Sequence, residues 1–127
     1  MRSQRERRFP PEPKSVSRAR QFVLADGWAD DEASRLRLAT VVSELVTNAI
    51  LHARTSFVVS VRNHGESIRI EVTDESEDMP EKRSYGELSV TGRGLHVVDA
   101  FADDWGFSPN PAGKTVWAEL DRDRVAS

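Results

Sequence analysis

The chain of 127 residues contains no cysteine, which excludes a disulfide framework, a thiolate metal centre and a cysteine nucleophile. No apolar run approaches the roughly 20 residues needed to span a bilayer, so no membrane partner is expected. The opening Met1-Arg2-Ser3-Gln4-Arg5-Glu6-Arg7-Arg8 lacks the apolar centre of a signal peptide, and a cytoplasmic protein is the expectation. The net charge is −3, so no global field recruits nucleic acid. The arginines of residues 1–8 read as a flexible basic tail. No internal repeat is visible, and the Gly-x4-Gly-Lys-Ser/Thr spacing of a Walker loop is missing. What remains is ordinary globular composition: 38% hydrophobic and 31% charged, enough for one domain with one core.

Within that domain the longest periodic run lies between Asp30 and Arg54. Leu36, Ala39, Val42, Leu45, Val46, Ala49, Ile50 and Ala53 recur at three- and four-residue spacing, which predicts a long helix with one apolar stripe. Glu44, Asn48 and His52 lie four apart and drift by only about 40° per step, so they share a second face. A carboxylate one turn from a carboxamide suits a divalent ion and a proton transfer; it equally suits a solvated polar face. Before this helix, Pro10-Pro11-Glu12-Pro13 forbids helix, and Phe9 closes a short edge strand at most. Ser15 or Ser17 can then cap a helix carrying Val16, Ala19, Phe22 and Val23, which ends at Asp26-Gly27-Trp28.

After the long helix the period changes from 3.6 to 2. Phe57–Val61 and the alternating Ile68–Val72, separated by Asn63-His64-Gly65-Glu66, predict a hairpin with one apolar side. The acidic, unperiodic stretch from Asp74 through Gly86 reads as a long functional loop. Thr91-Gly92-Arg93-Gly94 opens a third helix through Phe101, and two closing strands follow around Asp104–Phe107 and Lys114–Leu120. Helices and antiparallel strands segregate, so the fold class is α+β, a two-layer sandwich of three helices on a mixed or antiparallel sheet. The domain is expected over residues 9–120, with a frayed tail over 121–127.

Three further groups sit where chemistry is plausible. Gly92-Arg93-Gly94 at a helix start lets backbone N–H groups approach an anion, although a plain turn explains a Gly-x-Gly as well. Asp74 ends an apolar-faced strand, where a carboxylate can accept from an exocyclic amine or simply turn the chain. Gly113-Lys114-Thr115 enters the last strand.

In this order, Glu44-x3-Asn48 on a long helix, Asp74 after a hairpin strand, Gly92-Arg93-Gly94 opening a later helix and Gly113-x-Thr115 resemble the GHKL ATPase superfamily, the group of DNA gyrase, heat-shock chaperones, histidine-kinase catalytic domains and mismatch-repair ATPases. The resemblance covers roughly Phe9 to Leu120. Glu44–Ala53 and Arg93-Gly94-Leu95 look most like the small anti-sigma-factor serine kinases of bacteria. Arg8-Phe9-Pro10 and Ala19–Val23 look like the stand-alone members common in actinobacteria.

That resemblance implies ATP and Mg²⁺ as cofactors. Asn48 would hold the Mg²⁺ that bridges the phosphates and Glu44 would be the catalytic base. Asp74 would read the adenine amine with Thr115 assisting through a water. Gly92, Arg93, Gly94 and Leu95 would close over the phosphates, and Gly113 would permit close approach of the last strand. The implied function is an ATP-binding regulatory protein: an anti-sigma factor with protein serine/threonine kinase activity toward an anti-anti-sigma (STAS-type) protein. Its partners would be a sigma factor, that antagonist and, as is common in the branch, a second copy of itself, with Trp28 and Trp105 serving core or interface. One departure stands out. The superfamily's Asp-x-Gly-x-Gly is replaced by Asp74-Glu75-Ser76-Glu77-Asp78, with neither glycine. It motivates the alternative of a protein-binding module that keeps the fold with degraded nucleotide affinity.

Overall fold

Alternation of side chains about each strand decides which residues form the interior. The computed structural model describes residues 3–76, 97–111 and 113–122. In chain order these contain β1 (Ser3–Phe9), α1 (Lys14–Leu24), α2 (Glu32–His52), β2 (Phe57–Asn63), β3 (Ser67–Asp74), β4 (Asp104–Asn110) and β5 (Gly113–Asp121), with residues 97–101 also helical. The strands form one sheet in the order β1-β2-β3-β5-β4, every neighbouring pair antiparallel. Ile68, Ile70 and Val72 of β3 share the buried face with Val116, Ala118 and Leu120 of β5. Leu38, Val41, Val42, Leu45 and Val46 of α2 complete that core, giving the expected two-layer α+β arrangement.

The stretch expected to be a loose basic tail is β1 instead, correcting the boundary at residue 9. It pairs with β2 along its length, from Ser3 opposite Asn63 to Phe9 opposite Phe57. The arginines alternate as strand residues do. Arg5 lies over the Phe22 ring, 4.6 Å from its centroid, and donates to the Phe22 carbonyl at 3.0 Å and to Asp26. Arginine can cover apolar surface with its stem while its head finds acceptors, so a charged edge strand forms without an apolar stripe. The expected C-terminal boundary moves too: Asp121 is the last residue of β5, and residues 123–127 lie outside the described set.

On α2 the expected stripe holds at Val42, Leu45, Val46 and Ala49 and fails at its first position. Leu36 is 68% exposed, whereas Arg37 and Leu38 face inward. Arg37 is held there because its guanidinium finds three acceptors: the Phe101 carbonyl at 2.6 Å, the Asp121 carbonyl at 3.2 Å and the Asp103 carboxylate at 2.7 Å. A buried cation is tolerated only when its donors are satisfied in this way. The helix begins as its sequence predicts. Asp31 caps it, accepting from the Ser34 amide at 2.7 Å, and that hydrogen bond holds the Asp31 carboxyl below the usual carboxylate range. α1 differs: Ser15 is buried and donates its hydroxyl to the Pro10 carbonyl at 2.7 Å, so neither serine caps the helix. Trp28 belongs to the core, its indole N–H donating to Gly65 O at 3.1 Å, while Trp105 is partly buried and donates to Asp99 at 2.9 Å. No helix among the described residues is long and apolar enough to cross a membrane.

Candidate functional site

The site follows from one flank of α2 and the ends of β3 and β5. Glu44 and Asn48 are one turn apart, about 6 Å along the helix axis. Asn48 is 4% exposed, and its side-chain Nδ2 has no hydrogen-bond partner among the described residues. A buried amide donor left unmade costs about 1–3 kcal/mol, so its retention points to a ligand acceptor. Glu44 is half-buried, and that burial pushes its carboxyl above the usual carboxylate range. One turn beyond Asn48, His52 is also half-buried. Burial, and then the charge of Lys114, lower its imidazole below the usual histidine value.

Lys114 brings the strand ends into the same neighbourhood. It stands directly opposite Asp74 in the β3–β5 register, both side chains on the helix-facing side. Their charged atoms are 3.7 Å apart, with side chains 4% and 2% exposed. Asp74 also accepts from the Ser76 amide at 2.9 Å. Burial raises the Asp74 carboxyl against the opposing pull of that amide and of Lys114. Lys114 escaped the sequence reading, although the alternation of β5 contains the signal. Counting back by twos from Leu120, Ala118 and Val116 lands on Lys114, on the same face as Asp74.

The same alternation corrects the expected role of Thr115. It points to the opposite face of the sheet, bonded to Thr73 Oγ1 at 2.8 Å and accepting from Asn110 at 2.8 Å. The structure does not bring it to Asp74. Gly113 does lie at the expected close approach: it has φ +155°, and a Cβ there would fall 1.9 Å from the Asp74 carbonyl oxygen and 2.9 Å from Glu75 Cα. The Glu75 carboxylate is turned to the outer face, where Arg8 donates to it at 2.7 Å, so it does not add negative charge to the site. Gly92, Arg93, Gly94 and Leu95, and the loop from Glu77 to His96 around them, lie outside the described residues.

A family model described as a histidine kinase-like ATPase domain matches residues 9–120. The chain belongs to that family. A search of curated proteins finds no match to it. A histidine kinase-like ATPase domain implies ATP binding, and the residues present can be tested against that. The α2 side fits: an unsatisfied buried amide beside a half-buried carboxylate is suited to phosphate oxygens and a proton transfer. At Gly113 the space that a side chain would fill is taken by the Asp74 and Glu75 backbone, so this glycine serves the contact between the strands. At the strand ends Asp74 is already paired with Lys114.

Proposed function

We propose that this histidine kinase-like ATPase domain is an anti-sigma factor with Mg²⁺-ATP-dependent protein serine kinase activity toward an anti-anti-sigma protein of the STAS type. The observation that carries the nucleotide part is the orphaned Asn48 amide one turn from Glu44. Asn48 would offer its side-chain oxygen to Mg²⁺, a hard ligand for a hard ion, and its unpaired N–H to a phosphate oxygen. Among the described residues no group of three or more His, Asp or Glu is placed to hold a metal. Phosphate and water oxygens would serve as further ligands of the ion.

Bound nucleotide would supply the γ-phosphoryl group. Glu44 would accept the proton of the attacking serine hydroxyl as its oxygen bonds to phosphorus and the bond to the leaving diphosphate oxygen breaks. Its carboxyl, raised by burial, is a better base than an ordinary glutamate once ionised. Phosphoserine adds about −1.5 to −2 charge, enough to part a close interface between kinase and antagonist. The sigma factor, the antagonist and a dimeric state are parts of this proposal that rest on the sequence resemblance.

Incubation with labelled ATP, Mg²⁺ and candidate antagonists from the same genome should transfer phosphate to a serine. Glu44→Ala should lower that transfer about 10³-fold and leave nucleotide binding in place, because it removes the base and not the cradle. Transfer that survives the substitution would remove Glu44 from the mechanism. The second reading, a binding module with weakened nucleotide affinity, is favoured by the Asp74–Lys114 pair. It predicts a protein partner on pull-down with no phosphate transfer.

A further inference from the structure

We infer that Lys114 is the specificity-determining residue of the base pocket: its ammonium takes the place of a base's exocyclic amine on Asp74, leaving a nucleoside-triphosphate site that does not select adenine. The inference rests on the nucleotide reading above and concerns what that site accepts. A carboxylate reads an amine by accepting its N–H, and a buried cation held beside the same oxygens competes with that amine. Here one Asp74 oxygen accepts from Ser76 and the other faces the Lys114 ammonium at 3.7 Å. Both side chains are almost fully buried, so solvent does not weaken their attraction.

The pairing is built into the sheet. Asp74 and Lys114 are cross-strand partners, and the glycine before Lys114 clamps the strand against the Asp74 backbone. An incoming base therefore meets a donor beside an engaged acceptor. Adenine gains little from the carboxylate, while a base with a keto oxygen at the same position gains a donor from the ammonium. One further titratable group lies close enough to feel this pair. His52 comes from the last turn of α2, and its imidazole is lowered by burial and then by the nearby Lys114, so it brings no positive charge of its own at neutral pH. Glu44 lies two turns back along the same flank.

The test is equilibrium titration of the full chain with Mg²⁺-ATP and Mg²⁺-ITP, which differ in the exocyclic amine, alongside the Lys114→Thr variant. For the unaltered chain ITP should bind at least as tightly as ATP. In Lys114→Thr, ATP should become tighter than ITP by about tenfold or more, because Asp74 is released to the amine. If the unaltered chain binds neither nucleotide and Lys114→Thr binds ATP in preference, the ammonium blocks adenine as inferred, but the part of the inference that leaves a site for other nucleoside triphosphates is overturned. A tenfold preference for ATP in the unaltered chain would overturn the inference alone. Should the variant fail to fold, that ratio in the unaltered chain decides the matter. An unchanged ratio in a folded variant would also overturn it. Failure of both proteins to bind either nucleotide at millimolar concentration would overturn the nucleotide reading and this inference with it.

Discussion

The two ends of the site are built on opposite terms. At the α2 end a buried amide has no partner among the described residues, and a half-buried carboxylate is held protonated to higher pH than usual. At the strand end every group is engaged: Asp74 with Lys114 and Ser76, and Gly113 with the Asp74 backbone. The unsatisfied end can gain interactions only from a ligand, whereas the satisfied end must give some up to admit one. Arg37, two turns before Glu44 on the same helix, shows that burial alone does not produce the difference. It too is a buried polar side chain, yet its three acceptors leave it fully employed in structure. Satisfaction, not burial, separates a structural polar group from one waiting on a ligand.

The largest disturbance should come from the strand end. Gly113→Ala places a methyl 1.9 Å from the Asp74 carbonyl oxygen, at a φ of +155° that side chains rarely adopt. Relief requires β3 and β5 to part where Asp74 meets Lys114. Adding backbone strain to overpacking gives a loss of about 4 kcal/mol, readable by denaturant unfolding. A variant as stable as the parent would mean that the strand ends are not clamped, and the contrast between the two ends would lose its rigid half.

A matched pair of substitutions sharpens the contrast further. Asp74→Leu removes the carboxylate that faces the buried Lys114 ammonium and should cost about 3 kcal/mol. Asn48→Leu removes a donor that has no partner and replaces it with apolar volume, so the fold should be unchanged or stabilised by about 1 kcal/mol. The same Asn48 variant should lose Mg²⁺-dependent nucleotide affinity, which calorimetry with and without Mg²⁺ measures. Stability changes of the same sign in both variants would contradict the assignment of one end to structure and the other to a ligand.

The parts of this molecule that were legible in the sequence are those in which one signal acted alone. The β2–β3 hairpin follows from clean alternation broken by His64-Gly65-Glu66, and Gly65 takes the φ of +85° that such a turn asks for. The start of α2 follows from Asp31, whose short carboxylate reaches the Ser34 amide. Legibility failed where two signals competed. β1 has strand alternation beneath a charge pattern that reads as a solvated arm, and only the placement of Phe22 and Asp26 reveals what its arginines bind. Leu36 matched the helical stripe by spacing, but Arg37 claimed the inward position because its acceptors come from residues 64 and more positions away. At the site, Glu44 and Asn48 were visible as a spaced pair. Lys114 was hidden beside a more conspicuous Thr115, because a motif is read by residue type and a strand by parity.

The smallest test of the contrast is its dependence on pH, since the two half-buried titratable groups respond in opposite directions. The Glu44 carboxyl is raised in the folded chain, so the unfolded chain loses its proton first as pH climbs through the carboxylate range. Stability falls across that window, and the cost is fully present once the folded group has ionised. The His52 imidazole is lowered, so the unfolded chain takes up its proton first as pH falls through about 6.5, and the cost appears on the acid side. Glu44→Gln should therefore gain stability over the parent near pH 8 and not near pH 3. His52→Gln should gain it near pH 5 and not near pH 8. Because both groups are partly open to solvent, each gain should stay under about 1 kcal/mol. Chemical unfolding of the three proteins at these pH values measures the differences. A gain for Glu44→Gln that persists at pH 3 would come from packing, and the α2 flank would then lack the poised base that distinguishes it from the closed strand end.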